Sequence, residues 1–126
     1  MSPGRIGTRP WRLAFALSLL VNVAILYLPV AVGPPASLPF LDKVVHAASF
    51  ALIAVTGCLA GVPLRALVVL IVGEAVVSEV VQGTVTVLHR DGDWADAVAD
   101  LVGGALGLGG FMLWRARRGR SSNTVE

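Results

Sequence analysis

Residues 79–110 read EVVQGTVTVLHRDGDWADAVADLVGGALGLGG, two apolar segments joined by a short polar connection. The stretch carries Glu79, Gln82, Arg90, Asp93, Asp96 and Asp100. If its apolar parts are membrane helices, most of these residues share one depth. An ionisable side chain inside an apolar span is expensive, so it faces a bundle interior and marks a site. The stretch points to a place and only weakly to a reaction.

Composition widens that reading to the whole chain. Of the 126 residues, 56% are hydrophobic and 14% charged, with a mean hydropathy of +0.79; a soluble domain carries about 25% charged residues. One domain of an integral membrane protein is expected. The net charge of +2 is small and the basic residues sit mostly at the two ends, which suits orientation in a bilayer and gives no nucleic acid as partner. The single cysteine, Cys58, excludes an intramolecular disulfide and a cysteine-based metal site; it reads as a small apolar residue. Nine arginines against one lysine, with abundant Ala, Val and Gly, suit a GC-rich bacterial genome and hence a multi-pass protein of the bacterial cell membrane.

Outward from the opening stretch, four spans appear. Residues 1–10 form a basic arm in which Pro3, Gly4 and Gly7 oppose regular structure. Residues 13–32 are an apolar run beside Trp11, longer than a signal-peptide core and without a suitable cleavage site, so it reads as a retained first span. Asn22 in it reads as helix-packing glue. Three prolines in GPPASLP, residues 33–39, break the helix. A second span covers residues 42–60, with Asp42, His46, Ser49, Ile53 and Thr56 on one helical stripe. Gly61, Val62 and Pro63 make a tight turn. A third span covers about 64–82 with Glu74 near its middle, and a fourth lies between Trp94 and Trp114, roughly 30 Å apart on a helix. Arg115, Arg117, Arg118 and Arg120 follow in a tail of residues 115–126.

The arginine-bearing N-terminal arm, the Arg65 turn and the C-terminal arm fall on one side of an even-numbered topology, and the positive-inside rule makes that side cytoplasmic. The expected fold is all-α: a four-helix transmembrane bundle, N-in/C-in, over residues 11–114. Its polar residues then converge in the outer third of the bilayer: Asp42, with His46 roughly 6 Å deeper, Glu79 about one turn below Gln82, and Asp93, with Asp96 and Asp100 roughly 5 and 10 Å deeper. Arg90 is expected to be held by one or more of Glu79, Asp93 and Asp96.

Plainer roles compete. Asp93 is also suited to be an N-cap with Asp96 at N3, Asp42 to cap the second helix, and Lys43 to snorkel to headgroups. His46 alone more often marks a hydrogen-bonded core histidine. Capping does not account for Asp100 or Glu79. Glu74 lies about 140° around the helix from Glu79 and serves another contact or a protonated pair. Gly103, Gly107 and Gly110 continue the Asp96–Asp100 face as close-packing positions.

These pieces resemble the VanZ-like family of small bacterial membrane proteins: Asp42-Lys43-x-x-His46, Glu79-x-x-Gln82, and Arg90 followed by Asp93, Asp96, Asp100 and Gly103. The resemblance runs from residue 42 to about residue 110. It departs at Asp100, where the family more typically has Asn. A named member is associated with low-level resistance to the glycopeptide teicoplanin, so the resemblance implies a cell-envelope role without a defined reaction. A binding module for a lipid-linked cell-wall precursor or an amphiphilic glycopeptide antibiotic is the first reading. In it Arg90 and Lys43 address anionic oxygens, and carboxylates accept from sugar or peptide donors. An enzyme using His46, Glu79 and the aspartates as acid, base or hard-metal ligands is the second. A proton- or cation-coupled carrier using Glu74 and Glu79, as a homo-oligomer, is the third, and a purely structural bundle the fourth. No nucleophile is recognisable and no metal-ligand spacing is diagnostic, so no cofactor or metal is expected; the lipid bilayer is an expected partner.

Overall fold

Proline, glycine and aspartate cut the apolar sequence into helices. The structure, a computed structural model, describes residues 6–28, 40–85 and 93–122. Pro10 sits in the first turn of α1 (Arg9–Tyr27), where its missing N–H is not needed. Leu28, which precedes a proline, leaves the helix in an extended conformation (φ −68°, ψ 135°). Helix α2 (Leu41–Leu59) ends in a Schellman motif: Val62 N–H donates to Gly57 O at 3.0 Å and Gly61 N–H to Cys58 O at 3.1 Å. Gly61 takes φ 80° there, which a side chain would disfavour. Pro63 is the N-cap of α3 (Leu64–Thr84), so the tight turn read from sequence is present. Helix α4 (Trp94–Ser122) runs past Trp114 through the arginines, and Arg118 lies over the Trp114 ring at 4.6 Å. The expected tail therefore begins as helix.

Contacts at the helix ends fix the directions. Gly7 N–H, just before α1, donates to Leu59 O at the end of α2 (2.8 Å). Gln82 Nε2, near the end of α3, donates to Leu26 O near the end of α1 (2.8 Å). Lys43 at the start of α2 meets Asp93 and Asp96 at the start of α4. So α1 and α3 run one way, and α2 and α4 the other.

Helices α1, α2 and α4 are long and apolar enough to cross a membrane. Their outward residues are apolar too: Leu13, Leu17 and Leu20 on α1, Val44 and Leu52 on α2, and Val98, Leu101 and Leu106 on α4 are all exposed. So much uncovered apolar surface fits contact with lipid rather than water. Helix α3 presents Val69, Val72, Val76, Val77 and Val80 in the same way. The buried core is thin: Leu26, Phe50, Ile53, Ala54, Ile71 and Ala75, with Phe15, Leu19, Tyr27, Leu70 and Leu108 packed against it.

The most extensive packing joins α2 and α4. A Cβ at Gly103 would run into the Ala47 backbone, and one at Gly107 would stand 2.6 Å from Ala51 O and 2.8 Å from Ala54 Cβ. Small residues four apart on both helices let the backbones touch. Gly104, not singled out from the sequence, faces Ile71 on α3. Gly110 corrects the expectation: it has open space around it, because the close seam ends at Gly107.

Candidate functional site

The start of α4 is built by Asp93. Its Oδ1 accepts from Ala95 N–H at 3.0 Å, while its carbonyl accepts from Asp96 N–H at 2.8 Å, so it is an N-cap. The Ala95 N–H, and after it the Lys43 ammonium, hold the Asp93 carboxyl below its ordinary range. Asp96 does not turn back to cap. Its Oδ1 accepts from Lys43 Nζ at 3.0 Å, and Asp93 Oδ2 accepts from the same ammonium at 3.1 Å. Lys43 thus bridges two aspartates instead of extending to headgroups, because the α2–α4 seam brings them within reach.

One turn deeper on each helix the seam is drier. His46 and Asp100 are each 1% exposed, with His46 Nδ1 and Asp100 Oδ1 2.8 Å apart. The other nitrogen, Nε2, lies 3.8 Å from Oδ1 of the exposed Asp42. Asp42 stands in the first turn of α2, a favourable place for an anion, but the N-cap is Phe40 and, among the described residues, no side chain caps this helix. Neither His46 Nε2 nor Asp100 Oδ2 has a hydrogen-bond partner among the described residues. Donor atoms of Asp42, His46 and Asp96 all lie within 4.8 Å of one another, a group able to hold a metal ion.

Helix α3 adds Glu79 beside Asp93, Asp96 and Asp100; its Oε1 has no hydrogen-bond partner among the described residues. Gln82 is placed elsewhere, tied to the Leu26 carbonyl. The structure therefore brings together Asp42, Lys43, His46, Glu79, Asp93, Asp96 and Asp100, and assigns Gln82 to joining α3 and α1. Arg90 and its expected pairing lie outside the described residues.

Two further polar features emerge. Asn22 Nδ2 donates to Ser49 Oγ at 3.0 Å, and Ser18 Oγ meets Thr56 Oγ1 at 2.9 Å, so α1 and α2 share a buried polar ladder. Asn22 is glue, as expected. The four-residue spacing of Ser18 and Asn22 and the seven-residue spacing of Ser49 and Thr56 put each pair on one helix face, and their crossed pairing shows the helices antiparallel. Tyr27 on α1 faces Glu74 on α3, a contact that no pattern within either helix announces.

No family model, curated protein or solved structure matches this chain. What fold and site define together is a class: a membrane protein, all-helical among the described residues, with a buried His46–Asp100 pair and a cluster of charged side chains at one end of its bundle.

Proposed function

We propose that all four helices cross a bacterial cell membrane with both termini cytoplasmic, and that the polar end is an outer-leaflet binding site. Its ligand on this reading is the donor-rich headgroup of a lipid-linked cell-wall component or an amphiphilic glycopeptide. The observation carrying it is the buried His46–Asp100 pair, continuous with the Lys43–Asp93–Asp96 bridge and Glu79 at a single end of the bundle. Arg9, Arg12, Arg65, Arg115 and Arg117 all belong to the opposite end, in keeping with the positive-inside rule. The outward apolar face of α3 favours a fourth span.

Lys43 is already bound by two carboxylates, so the site favours hydroxyl, amide and amine donors over anionic oxygens. The VanZ-like spacing of the polar residues agrees with an envelope role. Lipids co-purifying with wild type and with Glu79→Ala are to be compared by mass spectrometry. Enrichment of a lipid-linked saccharide or peptide in the wild type alone supports the reading; identical lipid profiles sink it. Cysteine labelling on a Cys58-free background tests the topology. An impermeant reagent should modify cysteines placed at Ser37 and Gly92 in intact cells, and not one at Ser121.

A further inference from the structure

We infer that Asp42, His46 and Asp96 form a binding site for a divalent first-row metal ion, Zn²⁺ or Mn²⁺. Acidic clusters are common on proteins, and the imidazole is what separates this one. His46 is almost fully buried, with Nδ1 engaged by Asp100 and Nε2 left without a partner among the described residues. That free nitrogen faces Asp42, 3.8 Å from its Oδ1. That contact is too long for a hydrogen bond, so the buried ring nitrogen has lost its hydrogen bond to water without a replacement. A metal ion held between it and two carboxylates removes that penalty.

The surroundings favour the same ion. Metal-ligating histidines donate their second N–H to a carboxylate, which sets the tautomer and raises the basicity of the ligating nitrogen. Asp100 is placed to do this through Oδ1 at 2.8 Å. Charge balance points the same way: Asp42, Asp93, Asp96, Asp100 and Glu79 gather at this end, and Lys43 is the one fixed cation there among the described residues. One imidazole with two carboxylates suits zinc or manganese, whereas magnesium and calcium favour oxygen donors alone.

The donors stand up to 4.8 Å apart, and a tetrahedral zinc site needs about 3.3 Å between them. Asp42, exposed at the rim, has room to rotate toward the other two donors, and the gap to Asp96 must close by side-chain adjustment when an ion binds. Asp96 has a second oxygen, so it can keep Lys43 on one and the ion on the other.

The inference rests on the site's geometry and not on which headgroup is bound there. Protein purified in detergent and stripped with a chelator is dialysed against Zn²⁺, Mn²⁺ or Mg²⁺, and the bound ion is counted. One Zn²⁺ or Mn²⁺ per chain is expected, with Mg²⁺ far weaker. Asp42→Asn, at an exposed position that leaves folding intact, should weaken binding at least about tenfold, and Asp100→Asn, acting through His46, about tenfold. Arg118→Ala, at the other end of the bundle, should bind as wild type does. A folded wild type, verified by circular dichroism, that retains no stoichiometric Zn²⁺ or Mn²⁺ overturns the proposal. So do Asp42→Asn and Asp96→Asn variants with wild-type affinity. Ions are counted without lipid, so failure here leaves the headgroup reading standing. Loss of lipid enrichment with metal binding intact would leave the metal site standing.

Discussion

Gly103→Ala should loosen the bundle and open the polar site with it. A Cβ at this position would lie 2.6 Å from both C and Cα of Ala47. Ordinary carbon contacts are ~3.5–4.0 Å, so the two helices must part by about 1 Å. The obstacle is backbone, which cannot turn aside as a side chain can. Overpacking of this kind costs about 1–3 kcal/mol. Parting α2 and α4 also stretches the 2.8 Å contact between His46 and Asp100 beyond hydrogen-bond range, at about 1 kcal/mol more. Alanine's better helix propensity returns up to about 1 kcal/mol, leaving a net loss of about 2 kcal/mol.

The glycines of α4 supply internal controls. Gly107→Ala meets Ala51 O at 2.6 Å and should behave similarly. Gly104→Ala meets the Cγ2 of Ile71, a side-chain tip able to move, and should cost less. Gly110→Ala enters open space and should be neutral or slightly stabilising. Unfolding in mixed detergent, followed by circular dichroism, ranks the four. A Gly103→Ala protein as stable as Gly110→Ala would refute the close α2–α4 seam.

Other residues give sharper local tests. Asp100→Ala leaves His46 Nδ1 buried without a partner and should lose about 1–3 kcal/mol of stability, whereas Asp100→Asn keeps an acceptor and should stay near wild type; equal losses in unfolding titrations would remove the pair from the account. Gln82→Ala frees the Leu26 carbonyl and should lower stability by about 1 kcal/mol, with faster hydrogen exchange at the ends of α1 and α3; unchanged exchange would count against the tie. Asp93, whose folded carboxyl is held low by Ala95 N–H and Lys43, contributes stability that is present above its unfolded value near ~3.9 and lost as pH falls through the folded one. Asp93→Asn should therefore flatten the acid limb of the stability–pH curve, and an unaltered limb would show that the cap and bridge contribute nothing.

Much of this architecture is legible in the sequence because its signals are local. Pro10, Gly61 and Pro63 mark helix boundaries by their backbone chemistry, and Asp93 before Trp94 is an N-cap by type and place. The convergence of His46 with Asp100, and of Lys43 with Asp93 and Asp96, follows from depth, since residues near the same ends of parallel helices must share a level. Azimuth is harder. Gln82 shares the polar level but points to α1, and Gly110 keeps the glycine spacing but lies past the point where α2 and α4 touch. Lys43 has a long side chain suited to a headgroup, and only the neighbouring α4 decides that it bridges two aspartates instead. Tyr27 and Glu74 meet because α1 and α3 run parallel, a relation of three-dimensional packing that neither segment encodes alone.

The glycine seam and the polar site are parts of one device. Lipid offers helices little hydrophobic reason to associate, so packing and buried polar contacts must hold them. The α2–α4 pair uses both in succession along a single line: Gly107 against Ala51, Gly103 against Ala47, His46 against Asp100, then Lys43 against Asp93 and Asp96. Close backbone approach lets short side chains such as Asp100 reach across, and it keeps water and lipid from the pair they form. A bulkier seam would leave the same residues in the sequence and too far apart to meet. The glycines thereby set the spacing of the site, and the spare His46 nitrogen and carboxylate oxygens at its rim are what remains to bind something else.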